Sequence, residues 1–137
     1  MDRIKLCVAG SRHLHDQARV EQLIVKGLHE LGINPKLVHT LINGKCPYGG
    51  VDACAETWAR RMGIQIELYP GRGGKGGFPA RNKQMAQRAT HAILIYAAHH
   101  ACRGTQDMHT QWIGVHGATA DNIITYTIDE EGSEVDP

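Results

Sequence analysis

The chain is most easily bounded by what it lacks. No apolar run in its 137 residues approaches the roughly 18 that a membrane span requires. None of the four cysteines pair at C-x₂-C spacing, and the nine histidines include no H-E-x-x-H. His99-His100 with Cys102 is the one grouping that invites a metal, and adjacent histidines usually point apart. The expectation is therefore four free thiols, no metal and no resident cofactor. Net charge is nearly absent as well: 15 Lys and Arg against 14 Asp and Glu give +1. That balance shows no basic footprint of a nucleic-acid binder. The first ten residues are too charged and too short an apolar stretch for a secretory signal. A cytoplasmic protein with no membrane partner is the expectation. No linker and no internal repeat divides the chain, and 137 residues suffice for one domain with a real core.

What is present is a regular alternation of strand-like and helix-like segments. Residues 4–9 read as a buried strand ending at Gly10-Ser11-Arg12. Asp16 is a candidate N-cap for a helix whose apolar face is Val20, Leu23, Ile24, Leu28 and Leu31, with Gly32 as its stop. A second strand spans 37–42. A second helix carries Val51, Ala55, Trp58, Ala59 and Met62 on one face and closes at Gly63. The third strand is 64–68. A glycine-rich loop over 70–78 leads to a third helix, with Pro79 in its first turn and Met85, Ala86 and Ala89 on its apolar face. A fourth strand covers 91–96, a fourth helix carries Met108, Trp112 and Val115, and a short last strand covers 123–126. The domain is thus placed at 1–126, and the acidic tail 127–137 is expected to fray.

Repeated strand–helix units with right-handed crossovers predict an α/β, Rossmann-like three-layer sandwich. The expected sheet is five-stranded and parallel in the order 3-2-1-4-5, with its switch point between the first and fourth strands. Ligands of such sheets bind beyond the carboxyl ends of the strands at that point.

Several loops at that predicted edge suit a phosphate. Gly10 permits close backbone approach, Ser11 offers a hydroxyl and Arg12 a forked cation; an ordinary tight turn with a surface arginine explains the triplet equally simply. Gly49 and Gly50 precede a helix start whose free N–H groups favour an anion. Asp52 there is either a cap or a contact to a ribose hydroxyl. The glycine-rich loop with Arg72 and Lys75 is either a lid over phosphates or a surface connection. Arg81-Asn82 lies in the first turn of a helix, where the macrodipole disfavours a cation and a compensating anion is worth suspecting. Arg103-Gly104-Thr105 opens the fourth helix, with a simple threonine cap as the bland explanation. Trp58 and Trp112 fit apolar faces and read as core.

Taken together, Val8-Ala9-Gly10-Ser11-Arg12, then Gly44-x₄-Gly49-Gly50-Val51-Asp52-x₂-Ala55-x₂-Trp58-Ala59, then Arg81-Asn82-x₂-Met85, then Gly104-Thr105 resemble the YspA-like family of the SLOG superfamily. That superfamily also holds the DNA-processing protein DprA/Smf and the LOG phosphoribohydrolases. The resemblance covers about residues 4–126. It implies a Rossmann-like binder of nucleotides or nucleotide-derived ligands, linked by inference to nucleotide signalling and to bacterial or phage conflict. It marks Gly10, Ser11, Arg12, Gly49, Asp52, Arg81, Asn82, Gly104 and Thr105, and the dimeric habit of LOG-like relatives implies a homodimer. Between Pro70 and Arg81 the chain departs from the family, which has a Trp and a longer stretch there.

The same resemblance bears on catalysis. LOG enzymes are similar around an Arg followed four residues later by Met, as in Arg81 and Met85. They also carry P-G-G-x-G-T-x-x-E, whose Glu helps to cleave the N-glycosidic bond. Met108 stands at that Glu position here, and Asp107 lies about 100° around the helix from it. Asp52, Arg81 and Asp107 are the catalytic candidates. Without a positioned acid or base, roughly 10²–10⁴ in rate is lost. The expectation is a binder rather than an N-glycosidase, and the hydrolase reading gains if Asp52 or Asp107 proves close to Arg81. An interaction protein with a vestigial pocket is a third reading, disfavoured by the number of polar groups at one edge.

Overall fold

The computed structural model describes residues 3–70 and 77–136, with backbone alone for 77 and 78. The glycine-rich loop, with Arg72 and Lys75, thus lies outside the described residues for most of its length.

Five parallel strands form one sheet: β1 (Ile4–Gly10), β2 (Val38–Asn43), β3 (Gln65–Leu68), β4 (His91–Ala97) and β5 (Ile123–Ile128). Their order is β3-β2-β1-β4-β5, as the alternation predicts. The helices are α1 (Gln17–Glu30), α2 (Gly50–Met62), α3 (Gly77–Arg88) and α4 (Arg103–His116), with a 3₁₀ turn at Pro35–Leu37 before β2.

The period-2 alternation of the strands divides the core in two. Leu6 and Val8 of β1, Leu41 of β2, and Ile93 and Ile95 of β4 face α1 and α2, where Leu23, Ile24, Leu28, Val51 and Trp58 meet them. Cys7, Ile42, Ala92 and Leu94 face the other way, against Met85 and Ala86 of α3 and Met108 and Trp112 of α4. Both tryptophans are core residues, as their spacing predicts. Fully burying each large side chain contributes about 1.5–3 kcal/mol.

Helix ends follow the sequence signals in part. Asp16 caps α1 by accepting from Arg19 N at 3.1 Å. Leu31 stands just past that helix as its C-cap. Two residues assigned to apolar helix faces are substantially exposed: Met62, 42%, at the last turn of α2, and Val115, 36%, near the end of α4.

The tail expected to fray is instead folded back. β5 runs two residues further than predicted, to Ile128, and Ile128 pairs antiparallel with Glu134. Asp129 Oδ1 accepts from the backbone N of both Glu131 and Ser133, closing a turn. Glu134 meets Lys26 Nζ at 2.5 Å and Arg19 at 4.0 Å, both on α1. Two of the acidic residues that suggested a solvated tail hold it: Asp129 turns it and Glu134 ties it to Arg19 and Lys26 of α1.

Candidate functional site

Because all five strands are parallel, the loops after β1, β2, β3 and β4 share the carboxyl edge of the sheet. Gly10 ends β1, and a Cβ there would lie 2.4 Å from Ile95 O of β4. Ser11 N donates to that same carbonyl at 2.9 Å, and Ser11 is buried. Ser11 Oγ accepts from His13 N at 3.1 Å, so the hydroxyl shapes its own turn.

The loop after β2 docks directly onto this turn. Val51 N donates to Ser11 O at 3.1 Å. Gly50 has φ +69°, and a Cβ there would meet Arg12 Cα at 2.4 Å. Only glycine supplies both the left-handed conformation and the close approach. Arg12 is exposed and lies over the Tyr48 ring, 5.1 Å from its centroid. α2 then begins after Gly49 with no side-chain cap.

Asp52, in the first turn of α2, is therefore not the N-cap. It is only 8% exposed, and its Oδ2 accepts from Cys46 N at 3.1 Å. The carboxylate holds the preceding loop, and Asn43 Nδ2 donates to Asp52 O at 2.9 Å to secure the other side. Burial pushes the Asp52 pKa up to about 6, against the opposing pull of the Cys46 N–H and the Arg81 charge. Beneath the site, burial and the Asp52 charge push the Cys7 thiol up to about 12, with Arg81 opposing. Cys7 is thus a protonated, inert core thiol.

Arg81 reaches the same loop from α3. Its Nη1 donates to Gly44 O at 2.8 Å and, more weakly, to Tyr69 O at 3.4 Å. Its Nε donates to Asn82 Oδ1 at 3.0 Å. Asn82, buried, passes the connection to α4 by donating to Asp107 Oδ2 at 2.8 Å and to Gly104 O at 3.3 Å. Asp107 also accepts from Gln111. At α4, Cys102 is the N-cap residue with no side-chain cap, and no acidic residue occupies the first turn with Arg103 and Gly104. Thr105 is buried in that turn and is not the cap; its carbonyl accepts from Tyr96 Oη at 3.4 Å. Met108 is fully in the core.

The residues singled out from sequence thus gather along one edge, in two linked groups. Gly10, Ser11, Arg12, Gly49 and Gly50 form the contact between the β1 and β2 loops. Asp52, Arg81, Asn82, Gly104 and Asp107 form a chain of polar contacts from α2 through α3 to α4. Both arginines touch the β2–α2 loop, Arg12 at Tyr48 and Arg81 at Gly44. Gly44 and Asn43 were not singled out as site residues, although Gly44 belongs to the spacing that carries the resemblance. His13 was not singled out and His100 was read only within the grouping with His99 and Cys102, yet their rings stack across the β1 and β4 loops, 3.8 Å between centroids. A cavity of about 220 Å³ opens at this edge on the α1–β5 side, lined by His13, His15, Arg19, Ile128 and Glu131 among others. Arg81, Asn82 and Gly104 do not line it.

Among the described residues, no three His, Cys, Asp or Glu side chains group so as to hold a metal ion, and all four cysteines are free. No helix there is long and apolar enough to cross a membrane. The class defined by the fold is a Rossmann-like α/β domain with a polar carboxyl edge. Comparison with protein-family models, curated proteins and solved structures finds no match for the chain.

Proposed function

We propose that the chain binds a nucleotide or nucleotide-derived ligand at the carboxyl edge of its sheet, near the β1/β4 switch point. The observation that carries this reading is the meeting there of Arg12, the turn Gly10–Ser11 and two helix N-termini that no side chain caps. Uncapped N–H groups beside a forked cation favour a phosphate. The Asn82–Asp107 chain and Asp52 bring amide and carboxylate groups, the types that recognise sugar hydroxyls and bases. The resemblance to YspA-like SLOG domains points to the same ligand class.

A second reading, an N-glycosidase or phosphoribohydrolase, is favoured by one observation. Asp52 lies beside Arg81, and Asp107 reaches Arg81 through Asn82. A carboxyl group with a pKa near 6 is able to donate or accept a proton near neutrality. Against it, Met108 occupies the position of the hydrolase glutamate and faces the core.

The test is native mass spectrometry of the chain with nucleoside monophosphates, cyclic nucleotides and NAD derivatives, followed by chromatography for free base. A complex of unaltered ligand mass supports the binder. Free base whose release is lost in Asp52→Asn or Asp107→Asn replaces it with the hydrolase. No complex with any member, and no free base, removes both.

A further inference from the structure

His13 and His100 come from loops that follow adjacent strands, β1 and β4, on either side of the switch point. Their rings lie face to face, centroids 3.8 Å apart and planes 15° from parallel. Arg12 Nε donates to His13 Nε2 in a long contact of 3.4 Å, which needs that nitrogen unprotonated. Three groups able to carry positive charge thus converge on one exposed rim. Among the described residues, no ion pair joins any of them to a carboxylate. The stack disfavours protonation of both rings at once, since two imidazolium rings at this distance repel.

We propose that Arg12, His13 and His100 form a proton-coupled subsite for a phosphate-type anion. The neutral rings close the gap between the two loops. Proton uptake parts them, removes the acceptor that engages Arg12, and makes both nitrogens of each ring N–H donors for the anion. No bond is made or broken beyond proton transfer from solvent: the anion and its protons arrive together. The inference rests on the phosphate-binding reading above and adds residues and a control to it.

The surroundings set the direction. Burial, then His100, Arg12 and His15, lower the His13 pKa. His99 and Cys102 share the β4–α4 loop with His100. Asp16, Arg19, Asp129, Glu130 and Glu131 line the cavity that His13 and His15 also line. None of those carboxylates is among the groups that set the His13 shift, and its direction is downward. An anion placed among Arg12, His13 and His100 reverses the balance and raises both imidazole midpoints. By linkage, anion affinity must then rise as pH falls through the range between the free and bound midpoints, by at most ~10-fold per pH unit for each proton taken up.

The experiment is an NMR pH titration of the histidine side chains of the full chain, in chloride and in inorganic phosphate at matched ionic strength. His39 and His109 serve as internal references. In chloride, His13 is expected to titrate below the ordinary imidazole value, and His100→Ala to raise it. In phosphate, the His13 and His100 midpoints are expected to rise together while the references stay in place, with the His13 rise lost in Arg12→Gln. Midpoints unmoved by phosphate, or moved no more than the references, overturn the subsite. If nucleotides bind while both midpoints stay fixed, the subsite falls and the nucleotide reading stands. If phosphate moves both while no nucleotide of the panel binds, the subsite stands and the nucleotide reading falls.

Discussion

Asp52 and Arg81, which come from different helices on opposite faces of the sheet, meet at the Cα of Gly44. A Cβ on Gly44 would lie 2.8 Å from Arg81 Nη1 and 3.4 Å from Asp52 Oδ2. The β2–α2 loop therefore carries no side chain at the point where the guanidinium crosses it. Gly44→Ala is expected to push Arg81 off the Gly44 carbonyl and cost about 1–3 kcal/mol, the range for overpacking a tight site. Urea unfolding of the variant measures this. A change within error would mean that the arginine moves freely.

The Asp52 carboxyl gives stability a pH dependence of defined sign. Its folded pKa of about 6 lies above the value of 3.8 for a free side chain. The folded state therefore binds more protons between about pH 4 and pH 6. Stability is higher below this window and falls as pH rises through it, by on the order of 3 kcal/mol from this group. Asp52→Asn removes that decline while keeping an oxygen for Cys46 N. Parallel stability profiles of wild type and Asp52→Asn over this window, from urea unfolding at each pH, would contradict the assignment.

The two arginines, read alike from sequence, have different tasks. Arg81 is tied to Gly44 O, Tyr69 O and Asn82 Oδ1 and compensates the buried Asp52. Arg12 is exposed and rests on Tyr48. Arg81→Ala is expected to lower stability by ~2–4 kcal/mol at neutral pH, since it leaves carbonyls and a buried carboxyl without their partner. Arg12→Ala is expected to leave stability within ~1 kcal/mol, the scale of an exposed cation–π contact. It should instead weaken ligand binding by about 1.5–3 kcal/mol, the scale of a charge-assisted hydrogen bond. Unfolding curves and binding isotherms of both variants check this. Equal stability losses in the two would refute the division.

The fold was legible because β1 and β4 are short apolar runs, the other strands carry apolar residues at intervals, and each helix carries one apolar face. Leu6, Val8 and Cys7 alternate in sequence and divide between the two faces of the sheet as read. The site was legible as an edge and less so as a set of roles. Asp52 and Thr105 looked like caps because residue type and position suit capping. What they do depends on contacts across loops, Asp52 to Cys46 N and Thr105 to Tyr96. The tail looked solvated because Glu134 has its partners, Lys26 and Arg19, more than a hundred residues away. The pairing of His13 with His100 was hidden for the same reason: a ring stack between residues 13 and 100 leaves no local pattern.

The proposed nucleotide-type ligand would sit where the β1, β2 and β4 loops meet. Hydrogen–deuterium exchange with the nucleotide panel, read by mass spectrometry, tests this most directly. Bound ligand is expected to slow exchange in residues 10–15, 44–52 and 98–105 together, with the opposite edge, around 32–37 and 117–122, unchanged. No protection from any member of the panel, or protection confined to that opposite edge, would rule out a ligand at the carboxyl edge.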